Sequence, residues 1–133
     1  MSLVGDYLRI SDRFNRSVRL ERDFVDPSAM DAYVVTEEVK RQVNRLMQGL
    51  DPRSGQRAWR ITGDYGSGKS SFALLLAQSF HARGDKIPAP IWNDLDKEFI
   101  TSQKRGYLPI LITGSRAPIR KEVAKGLIEV LSQ

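Results

Sequence analysis

Residues 57–81 read Arg57-Ala58-Trp59-Arg60-Ile61-Thr62-Gly63-Asp64-Tyr65-Gly66-Ser67-Gly68-Lys69-Ser70-Ser71-Phe72-Ala73-Leu74-Leu75-Leu76-Ala77-Gln78-Ser79-Phe80-His81. The middle of this stretch, Gly63 to Ser70, fills every fixed position of the pattern G-x-x-x-x-G-K-[ST]. The residue types follow from what a polyphosphate needs. Main chain must wrap the anion closely, and Gly63, Gly66 and Gly68 permit both that approach and positive φ angles. Backbone N–H groups from about Tyr65 to Ser70 then converge as an anion nest. The partial positive charge of a helix N-terminus adds to the attraction. Lys69 is expected to reach the β- and γ-phosphates and is the expected catalytic residue, with the Ser70 hydroxyl on Mg2+. Ser71 is assigned to the α-phosphate. Asp64, Tyr65 and Ser67 occupy the variable positions and complete the nucleotide-binding set; Tyr65 either leans over the nucleotide or covers the loop. A chance match of this pattern occurs in roughly one chain in 200 of this length.

The flanks supply the context. Ala58, Trp59 and Ile61 predict a short strand over 57–62, with Trp59 in the core. Beyond the loop, Phe72 to Ala77 and Phe80 predict a buried helix over 70–81, with His81 at its C-terminal end. Farther on, residues 108–113 predict a second strand, with Pro109 at its start or on an edge. Pro118 then opens a final helix that carries Ile119, Val123, Leu127, Val130 and Leu131 on one side. Before the loop, Thr36 caps a helix running to Gly49, with Glu37 and Glu38 at its positive end. Its apolar stripe is Val39, Val43, Leu46, Met47 and Leu50. Residues 93–104 form a further candidate helix, and the two prolines in 87–90 exclude a central strand there. This alternation predicts an α/β domain: a parallel sheet flanked by helices.

Composition narrows the function classes. The chain has 133 residues, which suits one domain. It is 41% apolar and 28% charged, ordinary for a soluble globular protein. No apolar run is long enough to span a membrane, and the N-terminus lacks a secretory signal. Cysteine is absent, which excludes disulfides and thiolate-ligated zinc and fits a reducing cytoplasm. The net charge of +5 permits an anionic partner such as nucleic acid. Arg9, Arg13, Arg16, Arg19 and Arg22 have near-helical spacing. They read first as a solvated face paired with Asp12, Glu21 and Asp23, and second as a phosphate track. Arg116 reads as a solvated loop arginine, with phosphate contact as the alternative.

The Gly63–Ser70 loop and its flanks resemble the P-loop NTPase superfamily. Within it, they are most similar to large bacterial AAA-like and STAND-like ATPases, including components of phage-defence and DNA-modification systems. Arg13-Phe14-Asn15-Arg16-Ser17 and Tyr33-Val34-Val35-Thr36 resemble the lead-in of such proteins. The resemblance implies ATP and Mg2+ as ligands. It also implies base contacts from Tyr33, Val34 and Val35, and a homo-oligomer or other subunits of a larger assembly as partners. It further implies a second motif, an apolar strand ending in a carboxylate. Residues 108–113 end in Thr113-Gly114 without one, and Ile91-Trp92-Asn93-Asp94 is too short. The expected organisation is therefore a lead-in over 1–35 and a nucleotide-binding domain over 36–133 that stops before this motif. Little hydrolysis is expected from the chain alone. A P-loop small-molecule kinase and a nucleotide-gated interaction module without catalysis are the competing functions.

Overall fold

The structure is a computed structural model, and it describes residues 17–26, 28–56, 58–81, 107–114 and 116–132. Arg9, Arg13, Arg16, the segment 13–16 of the lead-in, residue 57, the prolines of 87–90 and the candidate helix over 93–104 lie outside the described residues.

Among the described residues four helices are formed: α1 (Leu20–Phe24), α2 (Glu37–Gly49), α3 (Lys69–Phe80) and α4 (Ile119–Leu131). Helix α1 is closed by a reciprocal pair of bonds. The Asp23 N–H donates to the Arg19 carbonyl at 2.8 Å, and the Arg19 N–H donates to Asp23 Oδ2 at 2.9 Å. Asp23 is buried, and Arg22 offsets its charge through two side-chain contacts at 2.6 and 2.9 Å. Of the arginine series, then, Arg22 is a paired side chain. Thr36 caps α2 as its position predicts, accepting from the Val39 N–H at 3.3 Å.

The core lies where α2 and α3 meet the turn that precedes α2. Ala29, Met30, Val43, Met47, Leu74 and Leu75 form its buried cluster. Val43 and Met47 come from the stripe of α2, one turn apart. Leu74 and Leu75 face them from α3, and α1 packs on α3 through Phe24 and its neighbours. Gln78 is also fully buried on α3, and among the described residues neither of its amide atoms has a hydrogen-bond partner.

The expected α/β parallel sheet is not formed: no described residue is in a strand. A strand is defined by a ladder, and the extended runs 58–62 and 108–113 have none. Among the described residues no backbone hydrogen bond joins them to each other. The second run is held instead by the Tyr107 N–H on the Phe80 carbonyl at 2.8 Å and by Thr113 on the Glu21 carboxylate. Trp59, Ile61, Leu108 and Ile110 are exposed rather than sandwiched between helices. The alternation of apolar residues supplied these runs with no strand partner among the described residues. The described part of the chain is therefore a small helical protein.

Helix α4 forms where Pro118 predicts it. Of its apolar side, Ile119, Val123, Leu127 and Leu131 are exposed and Val130 is half-buried. The buried point is Gly126, which sits against Ile110 and Ile112 so closely that an added Cβ would lie 3.0 Å from Ile110 Cγ2.

Candidate functional site

The phosphate-loop residues sit between the first extended run and α3. Residues 58–64 carry no regular secondary structure, Tyr65 and Gly66 turn the chain, and Lys69 opens the helix. Two of the glycines hold left-handed backbone, Gly66 at φ 81° and Gly68 at φ 80°. A side chain at either position is strained. Gly63 is close-packed instead: a Cβ there would lie 2.9 Å from Ser67 Oγ. The loop thus folds back on itself through Gly63 and Ser67.

Gly68 is the N-cap of α3 and gives no side-chain cap to the helix. The first-turn N–H groups of α3 therefore have no capping oxygen, and a helix start in that condition attracts an anion. Lys69 lies across the loop. Its Nζ donates to the Gly63 carbonyl at 2.9 Å, to the Asp64 carbonyl at 2.6 Å and, at 3.4 Å, to Ser67 Oγ. The ammonium is thereby fixed on the loop itself, beside the amides of the turn.

A cavity of about 660 Å³ opens next to this loop, within the range of small-molecule sites. Gly63, Ser67, Gly68 and Lys69 form one end of it. Trp59, Ile61 and Thr62 line the side formed by the extended run, and α2 contributes Glu38, Val39, Gln42, Arg45 and Leu46. Tyr33 and Val34 are on the wall as well. Burial pushes the Tyr33 hydroxyl above its ordinary value of 10.0, so it stays neutral at physiological pH. The guanidinium of Arg45 stacks over the Trp59 ring at 5.4 Å from its centroid.

The residues singled out in the sequence are thus partly brought together. Of the nucleotide-binding set, Gly63, Ser67, Gly68 and Lys69 line the cavity, whereas Asp64, Tyr65, Gly66, Ser70 and Ser71 do not. Tyr65 is fully exposed, so it neither leans over the cavity nor covers the loop. Ser70 is exposed on the first turn of α3. Tyr33 and Val34 reach the cavity while Val35 packs on the core. Arg116 is exposed and is not on the cavity wall. Trp59, expected in the core, is 37% exposed at the cavity.

Glu38, Gln42 and Arg45 were not recognised in the sequence. The available signal was Gln42 itself: it falls three residues after Val39 and four before Leu46, a polar residue on the border of an apolar stripe.

The metal expectation rests on Ser70. Among the described residues no three His, Cys, Asp or Glu side chains group together as a metal site. Mg2+ needs no such cage, since it keeps several waters and takes its remaining oxygens from phosphates and one or two side chains. The Ser70 hydroxyl fits that limited role. No helix among the described residues is long and apolar enough to cross a membrane. No family model, curated protein or solved structure matches the chain.

Proposed function

We propose that this chain binds ATP with Mg2+ and serves as the nucleotide-binding module of a larger bacterial ATPase. The observation that supports this most is the junction of the cavity with the loop: an uncapped helix start, a lysine ammonium and the left-handed Gly68 at one end, Tyr33, Val34 and Trp59 on the walls. A nucleotide has the same division, with a charged polyphosphate and a flat apolar base.

In this reading the α3 amides and the Lys69 ammonium hold the phosphates. Lys69 exchanges its two carbonyl acceptors for phosphate oxygens, a stronger charge-assisted bond. Ser70 orients the Mg2+ that arrives with the nucleotide. Tyr33, Val34 and Trp59 enclose the base. Hydrolysis by the chain alone is weak, because no apolar run ending in a carboxylate follows the loop to orient magnesium or water. The absence of cysteine accords with work in the cytoplasm, and the parent assembly supplies the partners.

Calorimetric titration of ATP with Mg2+ into the chain and into Lys69→Ala tests the proposal. Saturable binding that weakens at least about a hundredfold in the variant is expected, as for loss of a charge-assisted contact. No binding by the unaltered chain overturns it.

A further inference from the structure

The wall of the cavity on α2 carries a fixed donor–acceptor pattern. Gln42 Nε2 donates to Glu38 Oε1 at 2.6 Å. The other oxygen of Glu38 is held by the Arg41 guanidinium. An ionised carboxylate accepts only, so it fixes which end of the Gln42 amide faces it: the NH2 group. The amide oxygen must then face away from Glu38, and among the described residues it has no partner. Gln42 is half-buried and lines the same cavity as Lys69. Glu38 has both oxygens engaged and so is the support, while Gln42 offers the free acceptor.

We propose that Gln42 is a specificity-determining residue that selects a purine carrying a 6-amino group, adenine, over one carrying a 6-carbonyl. An amino group donates to the Gln42 oxygen. A carbonyl at the same place sets one acceptor against another, so the contact is repulsive where the amino group makes a hydrogen bond. The inference rests on the nucleotide-binding reading of the loop and goes beyond it by assigning base choice to one side chain.

The test compares ATP, GTP, inosine triphosphate and inorganic tripolyphosphate, each with Mg2+, by calorimetry. Inosine triphosphate keeps the purine and replaces the 6-amino group with a carbonyl. The protein is the full chain, as wild type, Gln42→Leu and Lys69→Ala, with helix content checked by circular dichroism. The wild type should bind ATP at least about tenfold more tightly than either 6-carbonyl nucleotide, the effect of one good hydrogen bond gained against one lost. Gln42→Leu should remove that preference by weakening ATP alone. Equal binding of ATP and inosine triphosphate by the wild type overturns the role of Gln42 and leaves the nucleotide reading standing. So does a preference that survives in Gln42→Leu. Failure of every nucleotide and of tripolyphosphate overturns the nucleotide reading and this inference with it. If Gln42→Leu loses helix content, Gln42→Met replaces it, with the same outcomes.

Discussion

Thr113 donates its backbone N–H and its hydroxyl to the two carboxylate oxygens of Glu21, at 2.6 and 2.7 Å, across 92 residues of chain. The pair pins the second extended run to α1. Without a ladder, this run has few other polar ties to the rest of the molecule. Burial raises the Glu21 pKa, but the hydrogen bonds from Thr113 and the backbone outweigh it, and the net position is below the ordinary 4.5.

The sign of the pH dependence follows. A carboxylate whose folded pKa is depressed contributes stability above its unfolded value, and loses it as pH falls through the folded value. The Glu21–Thr113 tie should therefore hold at neutral pH and weaken below about pH 4.5. Because the pair is exposed, the effect is under about 1 kcal/mol. Amide exchange at Thr113, compared between Glu21→Gln and wild type at neutral pH, checks it; equal protection would show that the bond contributes nothing.

Gln78 is a fully buried amide without a partner among the described residues, on a helix that otherwise buries Leu74 and Leu75. An unsatisfied buried amide costs about 1–3 kcal/mol. Gln78→Met keeps the volume and removes the polar atoms, so it should stabilise the fold by about 1 kcal/mol. Urea unfolding reads the change; a loss of stability would mean that the amide is satisfied in solution.

Met47 is 1% exposed and bridges the stripe of α2 to the leucines of α3. Met47→Ala should destabilise by about 2–5 kcal/mol, transfer and cavity terms together. Thr36→Ala removes the cap of the same helix and should cost about 1 kcal/mol. The two sites are far apart along α2, so the double variant should show nearly the sum. Denaturant midpoints at constant slope measure all three.

Gly68 holds φ 80° with nothing within 4 Å of an added Cβ. Gly68→Ala therefore meets no clash and pays only for left-handed backbone, about 1–2 kcal/mol. Gly63→Ala is different: its Cβ would lie 2.9 Å from Ser67 Oγ, so the Ser67 hydroxyl on the cavity wall must turn away. Unfolding should separate little between the two variants, whereas nucleotide titration should show the greater loss for Gly63→Ala. The reverse order would put the binding geometry at Gly68.

How much of this was legible in advance differs by element. Helices announce themselves locally, because their hydrogen bonds close within four residues and their apolar stripes recur every turn. The cap at Thr36, the stripe from Val39 to Met47 and the glycine-punctuated start of α3 were readable for that reason. So was the need for glycine at positions 66 and 68, since backbone handedness is a local property.

What depends on a partner distant in sequence was not readable. The runs 58–62 and 108–113 have the alternation of strands, but a strand exists only when another segment completes its ladder, and among the described residues none does. Trp59 shows the same gap: its apolar ring suggested the core, and the fold turned it to the cavity beneath Arg45. Gln42 became a candidate only when α2 was placed against the loop. The sequence by itself determined α2, α3, α4, the apolar stripe of α2 and the left-handed glycines before α3, because these are written in short-range spacing. Only the tertiary structure decided that the runs 58–62 and 108–113 find no ladder among the described residues and that a cavity joins Lys69 to Gln42, because both depend on which distant surfaces meet.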